Sequence, residues 1–266
     1  MTRPRSTGHG VDRTNRKLIR RRWSSAYLRL HESRIRANLI GFKRRTKRGG
    51  HLVPVKLLVF CDDLYHPGAT VRTGLAPLAA AGFEFDWVED ASNWAATSLE
   101  AYPAALLSKS NVCTPTDKTP WLGPGTESAF LDHVRRGGGL VVIHSGTASY
   151  ADVAPVRAVT GGTFLSHPPP CAISMMPKVG HPLTVGVPEP FVIRDEHYQM
   201  ALDDAHADVF LRSVSEHGEQ PAGWTRSEGA GRVCVLTPGH FPKVWLHPSF
   251  QQLIVNALHW VTHSLN

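Results

Sequence analysis

Hydrophobic and polar positions fall into a regular order from Val55 onward. VKLLVFC (55–61) is an unbroken apolar run, the pattern of a strand covered on both faces of a sheet. TVRTGLAPLAAA (70–81) reads as a helix in spite of Pro77, closed by Gly82. Phe83–Val88 is a second strand and AALL (104–107) a short third one. TESAFLDHVRR (126–136) is amphipathic, with its basic residues in the last turn, where they suit the helix dipole. Gly137–Gly139 stops it, and Leu140–Ile143 is the fourth strand. Strands alternating with helices in this order predict a doubly wound, mostly parallel α/β sheet with helices on both faces.

Further along, short strands are expected around 172–176, 192–195, 209–215 and 233–237, with SEGAGR (227–232) as a turn between two strands. A helix over 248–263 closes the chain, with Phe250, Leu253, Ile254, Ala257, Leu258 and Val261 on its apolar side. No apolar run approaches the roughly 18 residues needed to cross a bilayer.

Charge changes the picture at one end only. Of the 266 residues, the first 50 hold sixteen Lys and Arg against two acids, a balance of +14. The rest hold thirteen bases against twenty acids, a balance of −7. The chain therefore divides into a basic leader (1–52) and one mildly acidic α/β domain (53–266). A like-charged leader is expected to be disordered. Three other readings stay open: a basic amphipathic helix through Leu18, Ile19, Trp23, Tyr27 and Leu30, an organelle presequence, and a start at Val53 that leaves the leader untranslated. RRRW has an arginine pair, but the apolar stretch of an export signal does not follow it. The acidic domain gives no reason to expect nucleic-acid binding, and the four separated cysteines suggest a reduced, cytoplasmic protein.

In an open α/β sheet, ligands bind beyond the carboxyl ends of the strands. His66 follows the first strand, His144 the fourth, and His240 the strand at 233–237. His167 lies in FLSHPPP, and Asp195 and Glu196 in IRDEHY. Each of these, taken alone, is more often a hydrogen-bonded structural residue, and Asp62 and Asp63 could simply cap the next helix. Convergence of three histidines on the ligand-binding face is the stronger signal. The turn GGGLVVIHSGTA (137–148) carries His144 where a nucleophile elbow would carry Ser or Cys. Ser145, one residue on, is expected to point away, so acyl transfer is not favoured. GxGxxG and GxxxxGK are both lacking. His259 and His263 are spaced i, i+4 but lack a carboxylate partner.

Taken together, RRGGGLVVIHSGTASY, GGTFLSHPPP, VIRDEHYQM and PAGWTRSEGAGRVCVLTPGHFPKVWLHPSFQQLIVNALHW resemble the trehalose-utilisation (ThuA-like) family over about residues 54–263. The resemblance implies a class I glutamine amidotransferase-like, flavodoxin-like fold. His144 stands where the amidotransferases have their catalytic cysteine, so glutaminase activity is not implied. The resemblance also implies bacterial carbohydrate catabolism, with a sugar oxidoreductase as partner and an oxidised (3-keto) disaccharide or glycoside as substrate. Within it, His66, His144, Glu196 and His240 match positions expected to be catalytic, and His167, Asp195, Trp224, Arg226 and Trp245 positions expected to bind substrate.

Two mechanisms stay open, acid–base chemistry by His and Glu, or a divalent metal such as zinc held by two or three of His66, His144, His167 and His240. Two function classes stay open as well. One is a lyase, hydrolase or isomerase of keto-sugars; the other is a non-catalytic sugar-binding partner of a dehydrogenase. Homo-oligomerisation is left open.

Overall fold

The computed structural model describes residues 54–188, 190–203 and 207–264. The expected leader, 1–52, lies outside the described residues.

The first half follows the expected alternation. Strand β1 is Val55–Phe60, helix α1 Gly68–Leu75, β2 Phe83–Val88, β3 Ala104–Leu107, α2 Ala129–Arg135 and β4 Gly139–Ile143. The helix expected over 70–81 is α-helical only as far as Leu75 and continues as a 3₁₀ turn from Ala76 to Ala81. Pro77 accounts for the change, because it has no N–H to donate to the preceding turn. Gly82 closes the segment at φ 86°, with its N–H bonded to the Ala79 carbonyl. Helix α3, Ala154–Thr160, follows the turn after β4.

The second half contains β5 (Gly162–Ser166), β6 (Cys171–Pro177), β7 (Phe191–Asp195), β8 (Gln199–Leu202), β9 (Asp208–Ser215), β10 (Gly218–Glu228) and β11 (Gly231–Leu236). A short helix α4, Pro242–Trp245, leads into α5, Pro248–Val261. Nine strands form one sheet in the order β2-β1-β3-β4-β11-β10-β9-β6-β7, and β5 pairs with β8 in a separate ribbon. Strands β2 to β11 of this order are parallel, and the remaining pairings are antiparallel. The fold is the expected flavodoxin-like α/β sheet, extended on one side by an antiparallel meander.

Side chains alternate across the parallel strands and so feed two cores. Leu57, Val59, Val141, Ile143, Cys234 and Leu236 pack with α1 and α5, through Leu75, Leu253, Ile254, Ala257 and Leu258. Leu58, Phe60, Ala105, Leu107, Val142, Val233 and Val235 pack with α2 and α3, through Phe130, Val134, Val156 and Val159. This double burial is why these strands read as unbroken apolar runs. In β6 and β7, by contrast, buried residues alternate with exposed or half-buried ones, as in a sheet with one wet face. No described helix is long and apolar enough to cross a membrane.

β1 has β2 on one side and β3 on the other, so the winding of the chain reverses there. This opens a crevice at the carboxyl ends of the central strands, and the polar cluster lies in it.

Candidate functional site

Three turns aim histidines into the crevice. After β1 the chain turns through Asp62, whose φ is 72°. The Asp63 carboxylate then accepts the backbone N–H groups of Tyr65 and His66 at 3.0 Å and of Ser110 at 2.9 Å. The same carboxylate accepts from the His66 Nδ1–H at 2.7 Å. Burial opposes ionisation of Asp63, but the His66 ring and the Ser110 and Tyr65 N–H groups outweigh it and hold the carboxyl well below its usual range. Asp63 is therefore the buried anchor of His66 and does not cap α1. Asp62 takes that place, accepting the Gly68 N–H at 2.7 Å.

After β4, His144 has φ 50°, a left-handed conformation rare outside glycine and typical of a strained elbow. The elbow is held tightly from below: a Cβ on Gly146 would strike the Leu107 carbonyl oxygen. His144 is 1% exposed. Its Nδ1–H donates to the Thr237 carbonyl at 2.9 Å, and Nε2 accepts the Tyr198 hydroxyl at 3.1 Å. The two rings stack with centroids 4.2 Å apart. Burial pushes His144 down to about 4, against the pull of Glu196 and the Thr237 carbonyl, so the ring is uncharged at neutral pH.

After β11, the Gly239–His240 turn is fixed by Asp195, which is fully buried at the end of β7. Asp195 accepts the Gly239 N–H at 2.7 Å and the His240 N–H at 3.2 Å. Burial pushes Asp195 up to about 7, while these backbone donors favour its anion.

Glu196 lies at the centre. Its Oε2 is 3.4 Å from His144 Nε2 and 3.3 Å from His240 Nδ1, and its Oε1 is 3.6 Å from His167 Nε2. Desolvation opposes ionisation of Glu196; with His144 uncharged, the His240 ring is the neighbour that holds it a carboxylate. Glu196 in turn raises His240, against a smaller desolvation effect. The His66 ring meets those of His144 and His240 edge-on, with centroids at 4.8 and 5.1 Å. Donor atoms of His66, His144, Glu196 and His240 all lie within 4.8 Å of one another. The four residues expected to be catalytic are thus brought together from four separate turns.

The expected substrate-binding residues fare differently. His167 stands at the rim, half-exposed, with its Nδ1 bonded to the Pro168 carbonyl. Asp195 lies behind the site and holds the turn that carries His240. Trp245 cannot present a face to a sugar: it is fully buried, packs on Gly74, and donates from Nε1 to the Gly239 carbonyl at 2.6 Å. Trp224 is also fully buried, in the α2/α3 core, and donates to the Thr160 carbonyl at 2.8 Å. Arg226 binds the Ala158 and Val159 carbonyls at the end of α3. The stacking role expected of Trp224 and Trp245 is therefore replaced by a structural one, and Arg226 is engaged with the backbone of α3. Tyr198 also belongs to the site, and so does Asp63, which lies in the polar cluster after the first strand. Their signals were the tyrosine of DEHY and an acid three residues before His66.

No thiol offers an alternative. Cys61 is buried, with burial as the main cause raising its pKa to about 12. Ser145 is fully buried behind the elbow. A cavity of about 520 Å³ opens at the other end of the sheet, beside Leu99, Tyr102, His133 and Arg136. It gathers no comparable set of acids and bases.

The model of the family described as "ThuA: Trehalose utilisation" matches residues 56–261. The chain belongs to this family. That membership places it in carbohydrate metabolism. Among solved structures, it is similar to a ThuA-like protein from Bacteroides uniformis ATCC 8492, with 21% identity and a TM-score of 0.63, covering 82% of this chain and 95% of that one. A ThuA-like protein from Parabacteroides merdae ATCC 43184 has 16% identity and a TM-score of 0.63, covering 79% and 90%. A β-galactosidase from Rahnella sp. R3 has 16% identity and a TM-score of 0.57, covering 78% of this chain and 31% of that one. At these identities the likeness is one of fold. The comparison with curated proteins gives no match.

Proposed function

We propose that this ThuA-family protein is an enzyme that acts on an oxidised (3-keto) disaccharide or glycoside in the cytoplasm. The observation that carries the reading is the convergence of His66, His144, Glu196 and His240 on one point of a mostly buried crevice. A sugar ring bearing a carbonyl has acidic C–H bonds beside it, and a lyase, hydrolase or isomerase must move that proton and stabilise the resulting oxyanion. The crevice offers an uncharged imidazole in His144, an ionised carboxylate in Glu196 and, in His240, a ring biased toward holding its proton. A base and an acid of this kind within 4.8 Å of each other suit chemistry at a carbonyl better than simple sugar binding. A sugar-binding module more often presents an aromatic platform, and Trp224 and Trp245 are both interior.

The test is incubation of the full chain with 3-ketotrehalose and a panel of keto-glycosides, followed by mass spectrometry and NMR of the products. Conversion of at least one of them, with the non-oxidised parent sugars untouched, is the expected result. Saturable binding without conversion would replace this reading with an accessory partner of a sugar oxidoreductase.

A further inference from the structure

We propose that His66, His144, Glu196 and His240 hold a divalent transition-metal ion of the zinc type. The inference rests on the reading of this pocket as the reaction centre and adds to it an ion that would polarise the sugar carbonyl by taking its oxygen as a fifth donor.

Atoms outside the cluster fix the proton on each ring. The partner of His66 Nδ1 is the Asp63 carboxylate, which can only accept, so Nδ1 carries the hydrogen. In an uncharged ring this leaves a lone pair on Nε2. That atom is buried and has no hydrogen-bond partner among the described residues. The partner of His144 Nδ1 is the Thr237 carbonyl, which again only accepts, and again the lone pair falls on the inward Nε2. Glu196 Oε2 then stands 3.4 Å from that lone pair. Two imidazole lone pairs and a carboxylate face one another in a space from which water is largely excluded. Tyr198 contributes one hydroxyl proton, to His144, and no described residue satisfies His66 Nε2. Electron-rich atoms gathered in this way lack a cation. A buried polar atom left unsatisfied costs about 1–3 kcal/mol, so a pocket that keeps one calls for an occupant.

The spacing agrees. In a tetrahedral site with bonds of about 2.0–2.1 Å, neighbouring donor atoms are about 3.3–3.4 Å apart. Glu196 Oε2 lies 3.4 Å from His144 Nε2 and 3.3 Å from His240 Nδ1. Three imidazoles and a carboxylate are borderline donors that suit zinc and its neighbours, whereas magnesium and calcium prefer sites built wholly of oxygen. The outer partners fit as well: histidine ligands of metals usually donate their other N–H to a carboxylate or a backbone carbonyl, and here Asp63 and Thr237 supply one of each. His167, one of the earlier candidates, is excluded from the set because it reaches only the outer oxygen of Glu196, at 3.6 Å.

The experiment uses the full chain, stripped with chelator and titrated with zinc by calorimetry and with cobalt by visible absorption. One equivalent is expected to bind per chain, and cobalt should show the intense d–d bands of a tetrahedral site. His66→Ala and Glu196→Gln should abolish saturable uptake. His240→Ala, at a position whose side chain is 21% exposed, should weaken it and alter the cobalt spectrum while leaving the circular dichroism unchanged. Asp63→Asn, at a positioning residue, should weaken uptake about 10–100-fold. No saturable uptake of zinc or cobalt by the wild type overturns the proposal, and so does uptake that the folded His240→Ala chain retains in full. Turnover of keto-glycosides by chelator-stripped protein would overturn the ion while leaving the carbohydrate reading intact. Stoichiometric uptake without turnover supports the ion and counts against that reading.

Discussion

Asp63 Oδ1 lies 2.7 Å from Nδ1 of His66, and this single bond decides which edge of the imidazole enters the crevice. The carboxylate is 2% exposed and also accepts three backbone N–H groups, so it cannot swing away to water. Each histidine of the cluster has a support of this kind. Thr237 turns His144, and Asp195 holds the backbone of His240.

Asp195→Asn should damage the site from behind. An amide has one acceptor oxygen for two backbone donors, and its NH2 would face one of those N–H groups. The expected loss is about 1–3 kcal/mol of stability, together with a fall in kcat larger than any change in KM, because His240 moves and the rim does not. Thermal unfolding beside steady-state kinetics checks both.

Tyr198→Phe keeps the ring stacked on His144 and removes one hydroxyl. Stability should fall by about 0.5–1.5 kcal/mol. The pH profile of turnover should shift, since His144 Nε2 loses its only neutral donor partner. A profile identical to the wild type would show that Tyr198 only packs.

The two buried tryptophans should separate. Trp224→Phe leaves the Thr160 carbonyl without its indole donor and should cost about 1–3 kcal/mol, with kcat/KM of the folded protein unchanged. Trp245→Phe should cost a similar amount and also reduce kcat, because its indole holds the Gly239 carbonyl next to His240. Equal kinetic effects would contradict the structural placement of Trp224.

His133 gives a pH dependence remote from the site. It is buried on α2, its Nε2 has no hydrogen-bond partner, and desolvation lowers its pKa from 6.5. As pH falls below about 6.5 the unfolded chain takes up a proton that the folded chain resists, so this residue lowers stability in acid and not in base. His133→Leu should therefore gain stability relative to the wild type below that pH. Denaturant titrations at several pH values check the sign; a gain that does not grow toward acid would contradict it.

Much of this was legible in the sequence, for a physical reason. The strands at 55–60 and 140–143 are covered on both faces, and such burial writes itself as unbroken apolar runs. The ribbon of β5 and β8 left no such trace, because GTFLS and QMAL are short and half-wet. His66, His144 and His240 could be singled out because each follows a strand on the ligand face. That Glu196 would meet them could be expected only from the family resemblance, since its strand β7 lies at the far edge of the sheet. Trp224 and Trp245 misled for the opposite reason. A tryptophan beside a motif looks the same whether its face meets a ligand or its N–H serves a backbone carbonyl.

On this reading the cluster of His66, His144, Glu196 and His240 performs chemistry on an oxidised sugar. The most direct measurement is conversion of 3-ketotrehalose, or of whichever keto-glycoside is turned over, by the wild type, Glu196→Gln and His240→Ala at matched circular dichroism. Conversion by the wild type and a loss of at least about 100-fold in kcat/KM for each variant are expected, the range seen when an acid–base group is removed. Conversion at wild-type rates by either folded variant, or by neither variant nor the wild type, would contradict this reading.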